Sequence, residues 1–385
     1  MAKVAWLCEY PLAGGGDRSL LATLPGLRAA GFDPVAIAPA GGELAQLFDE
    51  QHVPLIPIRW HTADGTRLSQ EESRAILSKL LRHFHPDLLH ANSLSMARLS
   101  GPVAAEQKLP SIGHLRDIVG VSARAMLDIN LHTRLLAVSQ ATRQFHVEQR
   151  LAPEKSFVLH NGVDLTRFAP GTVAKPRPLI TELNLPQDAL LLGVIGQIIQ
   201  RKGLDRLVPL AEQLQSAAPQ AHLLLIGDRP SQKEEAIRFE ADVRRELTSA
   251  APGQVHFLGR RDDVHALLPQ LDVLVHPARQ EPLGRVLLEG AACGLPIVAT
   301  AVGGTLEIFP PDQDAAAIVP AGDGEQLAAK VIELLRDPRR RSQLGSAARC
   351  RAESAFSADR ASAALASHYA AVLRVGHVAA DIASE

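Results

Sequence analysis

Short apolar runs alternate with amphipathic stretches along all of this 385-residue chain. In the first half the runs cover residues 4–7, 35–37, 55–58, 88–90, 111–114, 135–138 and 157–159. In the second half they cover 190–195, 222–226, 255–258, 273–276, 297–299 and 317–319. They show little polar alternation, so each predicts a strand buried on both faces, the situation of a parallel sheet covered by helices. Between them, Ile76, Leu77, Leu80 and Phe84 share one helical face, as do Leu204, Leu207, Val208, Ala211 and Leu214. One stretch is in conflict with itself. Leu20, Leu24 and Leu27 have helical spacing, yet Pro25-Gly26 interrupts them, which predicts a kink or an early break there.

The pattern predicts an α/β protein of two doubly wound parallel sheets. A boundary shows where Asn161-Gly162-Val163-Asp164 gives way to Phe168-Ala169-Pro170-Gly171 and a Pro- and Lys-punctuated stretch up to Pro178. This reads as a linker between domains spanning 1–168 and 169–385. The tail, 357–375, is Ala-rich and helical in pattern.

Composition narrows the class. Hydrophobic residues at 46%, charged at 21% and aromatic at 4% fit packed α/β cores and exclude a disordered or collagen-like chain. A formal net charge of −2 gives no global reason to expect nucleic acid as a partner. No apolar stretch approaches the roughly 18–20 residues that span a bilayer, so any membrane contact is expected to be peripheral. The opening run ends at Glu9, too short for a signal peptide. Cys8, Cys293 and Cys350 stand far apart, with no zinc or redox spacing, which suits a reducing cytosol.

Several segments could carry chemistry. Gly14-Gly15-Gly16-Asp17 follows the first strand and opens a helix, where backbone amides attract negative charge; an ordinary turn explains it equally well. It misses the G-x-G-x-x-G pattern because Ser19 holds the third place. Gln197 and the pair Arg201-Lys202 lie beyond the first strand of the second half, where open α/β sheets bind ligands. Those cations could neutralise a diphosphate or simply be solvated. Glu281 sits in a loop before the apolar helix start Arg285-Val286-Leu287-Leu288-Glu289. A buried Glu289 needs partners, and two ribose hydroxyls would supply them. Alternatively, Glu281 caps the helix and Glu289 pairs with Arg285 at i,i+4. His114 ends a strand. His83, His85 and His90 read as surface and packing residues, because no carboxylate-rich ligand set accompanies them.

Taken together these motifs resemble the GT-B-fold retaining glycosyltransferases of family 4. The resemblance runs from Gly259-Arg260-Arg261-Asp262-Asp263-Val264 through His276-Pro277-Ala278-Arg279-Gln280-Glu281-Pro282-Leu283-Gly284 and Glu289-Gly290-Ala291 to Gly294-Leu295-Pro296 and Gly303-Gly304-Thr305. Glu281 and Glu289, seven residues between them, match the family's E-x7-E motif. The resemblance implies two Rossmann-like domains facing a cleft, with a C-terminal helix packing back on the N-terminal domain. It also implies sugar transfer from a nucleotide-diphosphate sugar to a hydroxyl acceptor, by a front-face, metal-independent mechanism with no cofactor.

Residue by residue, the resemblance places Glu289 on the donor ribose and Glu281, Leu283 and Gly284 against the sugar and diphosphate. Lys202 with Arg201 binds the diphosphate, Gly15 and Gly16 line the donor–acceptor site, His114 approaches the sugar, and Arg260 marks the nucleotide-base loop. The chain departs from the family at Gln197, where Arg is usual, at Leu283 for Phe and at Gly290 for Ala. Two other readings stay open: a sugar-nucleotide epimerase or hydrolase, and a non-catalytic nucleotide-sugar-binding subunit. Acceptor recognition is expected in loops 61–69 and 119–132, and Arg116, Arg124 and Arg134, near the second of these, could meet an anionic acceptor or a lipid headgroup.

Overall fold

The computed structural model describes residues 1–62, 64–171 and 177–384, those from 375 onward by backbone alone. The contacts divide the chain into two units, Met1–Gly162 with Ala358–Glu385, and Val163–Ser357.

In the first unit every apolar run became a strand: β1 (Ala2–Leu7), β2 (Phe32–Ala38), β3 (Leu55–Pro57), β4 (Leu88–Ala91), β5 (Ser111–Leu115), β6 (Arg134–Ala137) and β7 (Ser156–Val158). They form one parallel sheet in the order β3-β2-β1-β4-β5-β6-β7. Residues alternate between two cores. Val4, Trp6, Leu88, Ile112 and Leu136 face the helices Gly15–Leu21, Leu24–Ala29 and Ala358–Ser384. Ala5, Leu7, Leu89, Ala91 and Leu115 face the helices Gln70–Phe84, Leu94–Glu106 and Ala123–Ile129. Burial on both faces is why these strands lack polar alternation.

The conflict at Pro25-Gly26 resolves as a break. One helix ends at Leu21, and a second, Leu24–Ala29, takes Pro25 into its first turn, where a missing N–H costs nothing. Gly26 lets the C-terminal helix close in, since a Cβ there would lie 2.7 Å from Ser362 Cβ.

The second unit holds β8 (Leu190–Ile195), β9 (Ala221–Ile226), β10 (Val255–Gly259), β11 (Val273–His276), β12 (Ile297–Thr300) and β13 (Ala317–Val319), parallel in the order β10-β9-β8-β11-β12-β13. Leu192, Leu223, Val273 and Val298 pack with the helices Val208–Ala217, Glu234–Ala250 and Gly324–Arg336 in its core.

The expected division at 168/169 differs from the observed one in two ways. Val163 already belongs to the second unit, its N–H donating to Phe356 O (2.8 Å), and Arg349 Nη1 donates to Phe168 O (3.0 Å). The tail returns to the first unit because Leu365, Tyr369 and Val372 complete its core, as the resemblance implied. Residues 172–176 of the expected linker lie outside the described residues.

Candidate active site

In the second unit the turn Gln200–Lys202, which follows β8, meets the loop that follows β11. Arg279 N–H donates to Arg201 O (2.8 Å) and ties the two segments together. Between them Lys202 Nζ donates to Glu281 Oε2, and His276 Nε2 lies 2.9 Å from that same oxygen. All three side chains are nearly closed to solvent.

Burial alone would raise the Glu281 pKa, but the Lys202 charge and the His276 hydrogen bond outweigh it and hold the carboxyl well below its ordinary range. Burial lowers the His276 pKa, with Lys202 and then Arg201 adding to the effect against the pull of Glu281. The cluster is therefore a carboxylate, an ammonium and a neutral imidazole donating through Nε2. This excludes the solvated reading of Lys202 and the helix-capping reading of Glu281.

The chain then turns into the helix Arg285–Ala292 through Gly284, whose φ of +98° is a conformation L side chains rarely adopt. Leu283 is buried and anchors this turn. Gly304 N–H donates to Glu281 O (3.0 Å) and fixes the loop from a third side. On the helix Glu289 is buried, and its Oε1 lies 2.7 Å from Arg285 Nε, the i,i+4 pair that the spacing allowed. Gln197 is exposed just past β8. Arg260 follows the edge strand β10, with Nε 3.6 Å from Asp262 Oδ1. The structure thus brings Lys202, Arg201 and Glu281 together, sets Leu283, Gly284 and Glu289 in the adjoining turn and helix, and leaves Arg260 at the sheet edge.

The other predicted residues belong to the first unit. Gly15 and Gly16 begin a helix with ordinary negative-φ backbone, and the reason for Gly16 is close approach: a Cβ there would lie 2.5 Å from Arg116 Cδ. Arg116 is not a surface cation. Its Nε donates to Asn92 Oδ1 (2.9 Å) and its Nη1 to Asn161 Oδ1 (2.9 Å), while Asn92 Nδ2 donates to Asp17 Oδ1 (2.8 Å). Burial brings the Arg116 pKa down to about 10 and raises that of Asp17. Arg134 likewise packs over the Phe157 ring (4.2 Å) and bonds His368 Nδ1 (2.8 Å). Arg124 alone of the three stays exposed, 3.6 Å from Asp128. The arginines expected near 119–132 therefore do not form one basic surface.

His114 is buried on β5, with Nδ1 3.2 Å from His90 Nε2. Its Nε2 is buried with no partner among the described residues, and the residue lines a small cavity together with Arg116, Asn161, Ser19 and Thr23. His276, His90, Asn92 and Tyr369 were not expected at a site. A signal existed for His90, a polar residue in the apolar run Leu88-Leu89-His90-Ala91, and for His276, the last residue of an apolar strand. Among the described residues there is no cluster of three or more His, Cys, Asp or Glu arranged to hold a metal ion, and no helix is long and apolar enough to cross a membrane.

Comparison with known proteins agrees with this architecture. Residues 178–351 match the family described as "Glycosyl transferases group 1", and residues 13–167 match "Glycosyltransferase Family 4". A GDP-mannose-dependent monoacylated alpha-(1-6)-phosphatidylinositol monomannoside mannosyltransferase of Corynebacterium glutamicum is 33% identical over 208 residues, covering 52% of each chain. Here, as with the lipopolysaccharide glucosyltransferase WaaG of Escherichia coli (30% identity, 47% of each chain), the match spans about half the relative's length. A GDP-mannose-dependent alpha-mannosyltransferase of Mycobacterium tuberculosis is 27% identical over 89% of this chain and 90% of its own. Among solved structures, Anabaena Alr3699/HepE in complex with UDP-glucose superposes with a TM-score of 0.84, at 20% identity, over 96% of this chain and all of that one.

Proposed function

Because the chain belongs to the group 1, GT-B glycosyltransferases, we propose that it moves a sugar from a nucleotide-diphosphate donor to a hydroxyl acceptor with retention of anomeric configuration. The observation that carries this reading is the cluster of Lys202, Glu281 and His276 beside Arg201, at strand ends where open α/β sheets receive ligands. Breaking the anomeric C–O bond gathers negative charge on the departing diphosphate. A lysine already oriented by a buried carboxylate, with a second cation next to it, stabilises that charge without reorganising.

Glu281 is held ionised, so it has no proton to give; it steers Lys202 and accepts a hydrogen bond from the sugar. Glu289 spends Oε1 on Arg285, and the donor ribose meets Oε2. In front-face transfer the leaving phosphate takes the proton of the acceptor hydroxyl, so no separate carboxylate base is required. The chain's own cations neutralise the diphosphate, and the rate is expected to survive chelation by EDTA.

The reading is tested by thermal-shift screening of nucleotide sugars followed by product analysis. GDP- and UDP-sugars lead the panel, since relatives are named for GDP-mannose and a neighbour in fold was crystallised with UDP-glucose. Glu289→Ala should abolish donor stabilisation, and Lys202→Met should reduce turnover by about 10²–10³-fold. Undiminished turnover in both variants rejects the assignment. Free sugar or isomerised nucleotide as the sole product points to the hydrolase or epimerase alternative. Donor binding with no turnover, restored by Gln197→Arg, identifies a weakened enzyme.

A further inference from the structure

Trp6, His90, Ile112 and His114 lie on one face of the first sheet, because Trp6 pairs with His90 across β1–β4 and His90 with Ile112 across β4–β5. The C-terminal helix Ala358–Ser384 lays Tyr369 on that face. Four polar groups, each 2% exposed or less, then form a line. Trp6 Nε1 is 3.0 Å from Tyr369 Oη, Tyr369 Oη is 2.6 Å from His90 Nδ1, and His90 Nε2 is 3.2 Å from His114 Nδ1. The line ends at His114, whose Nε2 is buried without a partner among the described residues and which lines a small cavity with Arg116 and Asn161.

The chemistry of the first group orders all the protons. An indole N–H can only donate, so Tyr369 Oη accepts from Trp6. The phenol hydrogen must then go to His90 Nδ1, the other partner within hydrogen-bonding distance of that oxygen. Burial, reinforced by the Arg116 charge, keeps both imidazoles neutral. A neutral His90 that accepts at Nδ1 carries its proton on Nε2 and donates it to His114 Nδ1. A neutral His114 that accepts at Nδ1 carries its own proton on Nε2.

We propose that Tyr369 is a positioning residue that, through His90, locks His114 in the Nε2–H tautomer, so that His114 meets the ligand as a hydrogen-bond donor to an oxygen and not as a base. The place of the ligand at His114 rests on the proposed sugar transfer, whereas the tautomer does not. The lock reaches across the sheet from a helix more than 250 residues further along the chain.

The test is long-range ¹H–¹⁵N spectroscopy of the imidazoles in the full-length chain, free of ligand, with resonances assigned by single His→Gln variants. Wild type is expected to show both His90 and His114 protonated on Nε2. Tyr369→Phe keeps the ring and removes the phenol hydrogen. It is expected to release the pair into mixed Nδ1–H and Nε2–H forms, and to lower turnover roughly ten- to hundred-fold, the range known for losing a partner that orients a metal-ligating histidine. Wild-type His114 protonated on Nδ1 overturns the proposal, as does a pure Nε2–H His114 persisting in Tyr369→Phe. If that variant does not fold, the wild-type spectrum decides alone. The spectra need no substrate, so a chain with the predicted tautomers that transfers no sugar, even with Gln197→Arg, refutes the proposed function and leaves the tautomer lock standing.

Discussion

His132 shows at the scale of a residue how burial becomes pH dependence. Its Nε2 donates to Ala97 O (2.9 Å) and its Nδ1 lies 3.0 Å from Ser111 Oγ, fully enclosed, and burial lowers its pKa to about 4. His90 and His114 are shifted in the same direction for the same reason. The unfolded chain binds protons below about pH 6.5 that the folded chain refuses, so stability is full above that value and declines as the pH falls toward 4. For His132 alone the shift is worth roughly 3 kcal/mol. Glu281 acts in the same direction lower on the pH scale: its contribution is present above the ordinary carboxylate value and is lost only as the pH falls toward its depressed one. The melting temperature should therefore drop steadily between pH 6.5 and 4.5, and a flat profile across that window would contradict the buried neutral histidines. Little of this was legible beforehand, because a histidine in an apolar run shows that a partner is needed without showing which one.

At the scale of elements the hydrophobic pattern was highly informative. Each apolar run became a strand, with ends moved by a few residues at most, since a strand buried on both faces leaves a signal that needs no knowledge of its neighbours. The helix break was also legible at Pro25, but its purpose was not. Gly26 lies where the helices Leu24–Ala29 and Ala358–Ser384 touch, and a Cβ would press on Ser362. Gly26→Ala is expected to destabilise the protein by about 1–3 kcal/mol, the usual range for overpacking. Ser362→Gly in the same chain should recover much of that loss, which a double-mutant cycle by urea denaturation would measure. Additive losses would show that the two helices do not meet there.

The chain as a whole enters the second unit at Val163 and leaves it at Ser357, so the first unit is completed by the last segment. Deleting residues 358–385 removes Leu365, Tyr369 and Val372 from a shared core. At about 1.5–3 kcal/mol for each large apolar side chain, the loss is on the order of the stability of an ordinary domain. Hydrogen exchange on the truncated chain should find β1, β4 and β5 unprotected while β8, β9 and β11 keep their protection; retained protection in the first sheet would refute the return of the tail. Local sequence determined the strands, the helical faces, the approximate boundary and the motif around Glu281 and Glu289, because burial and turn chemistry are written in adjacent residues. Tertiary structure alone decided that Lys202 and His276 share one carboxylate oxygen, that Arg116 turns inward under Gly16, and that Tyr369 reaches His90. Those contacts join residues distant in the chain, and their geometry depends on strand order and register, which no local pattern encodes.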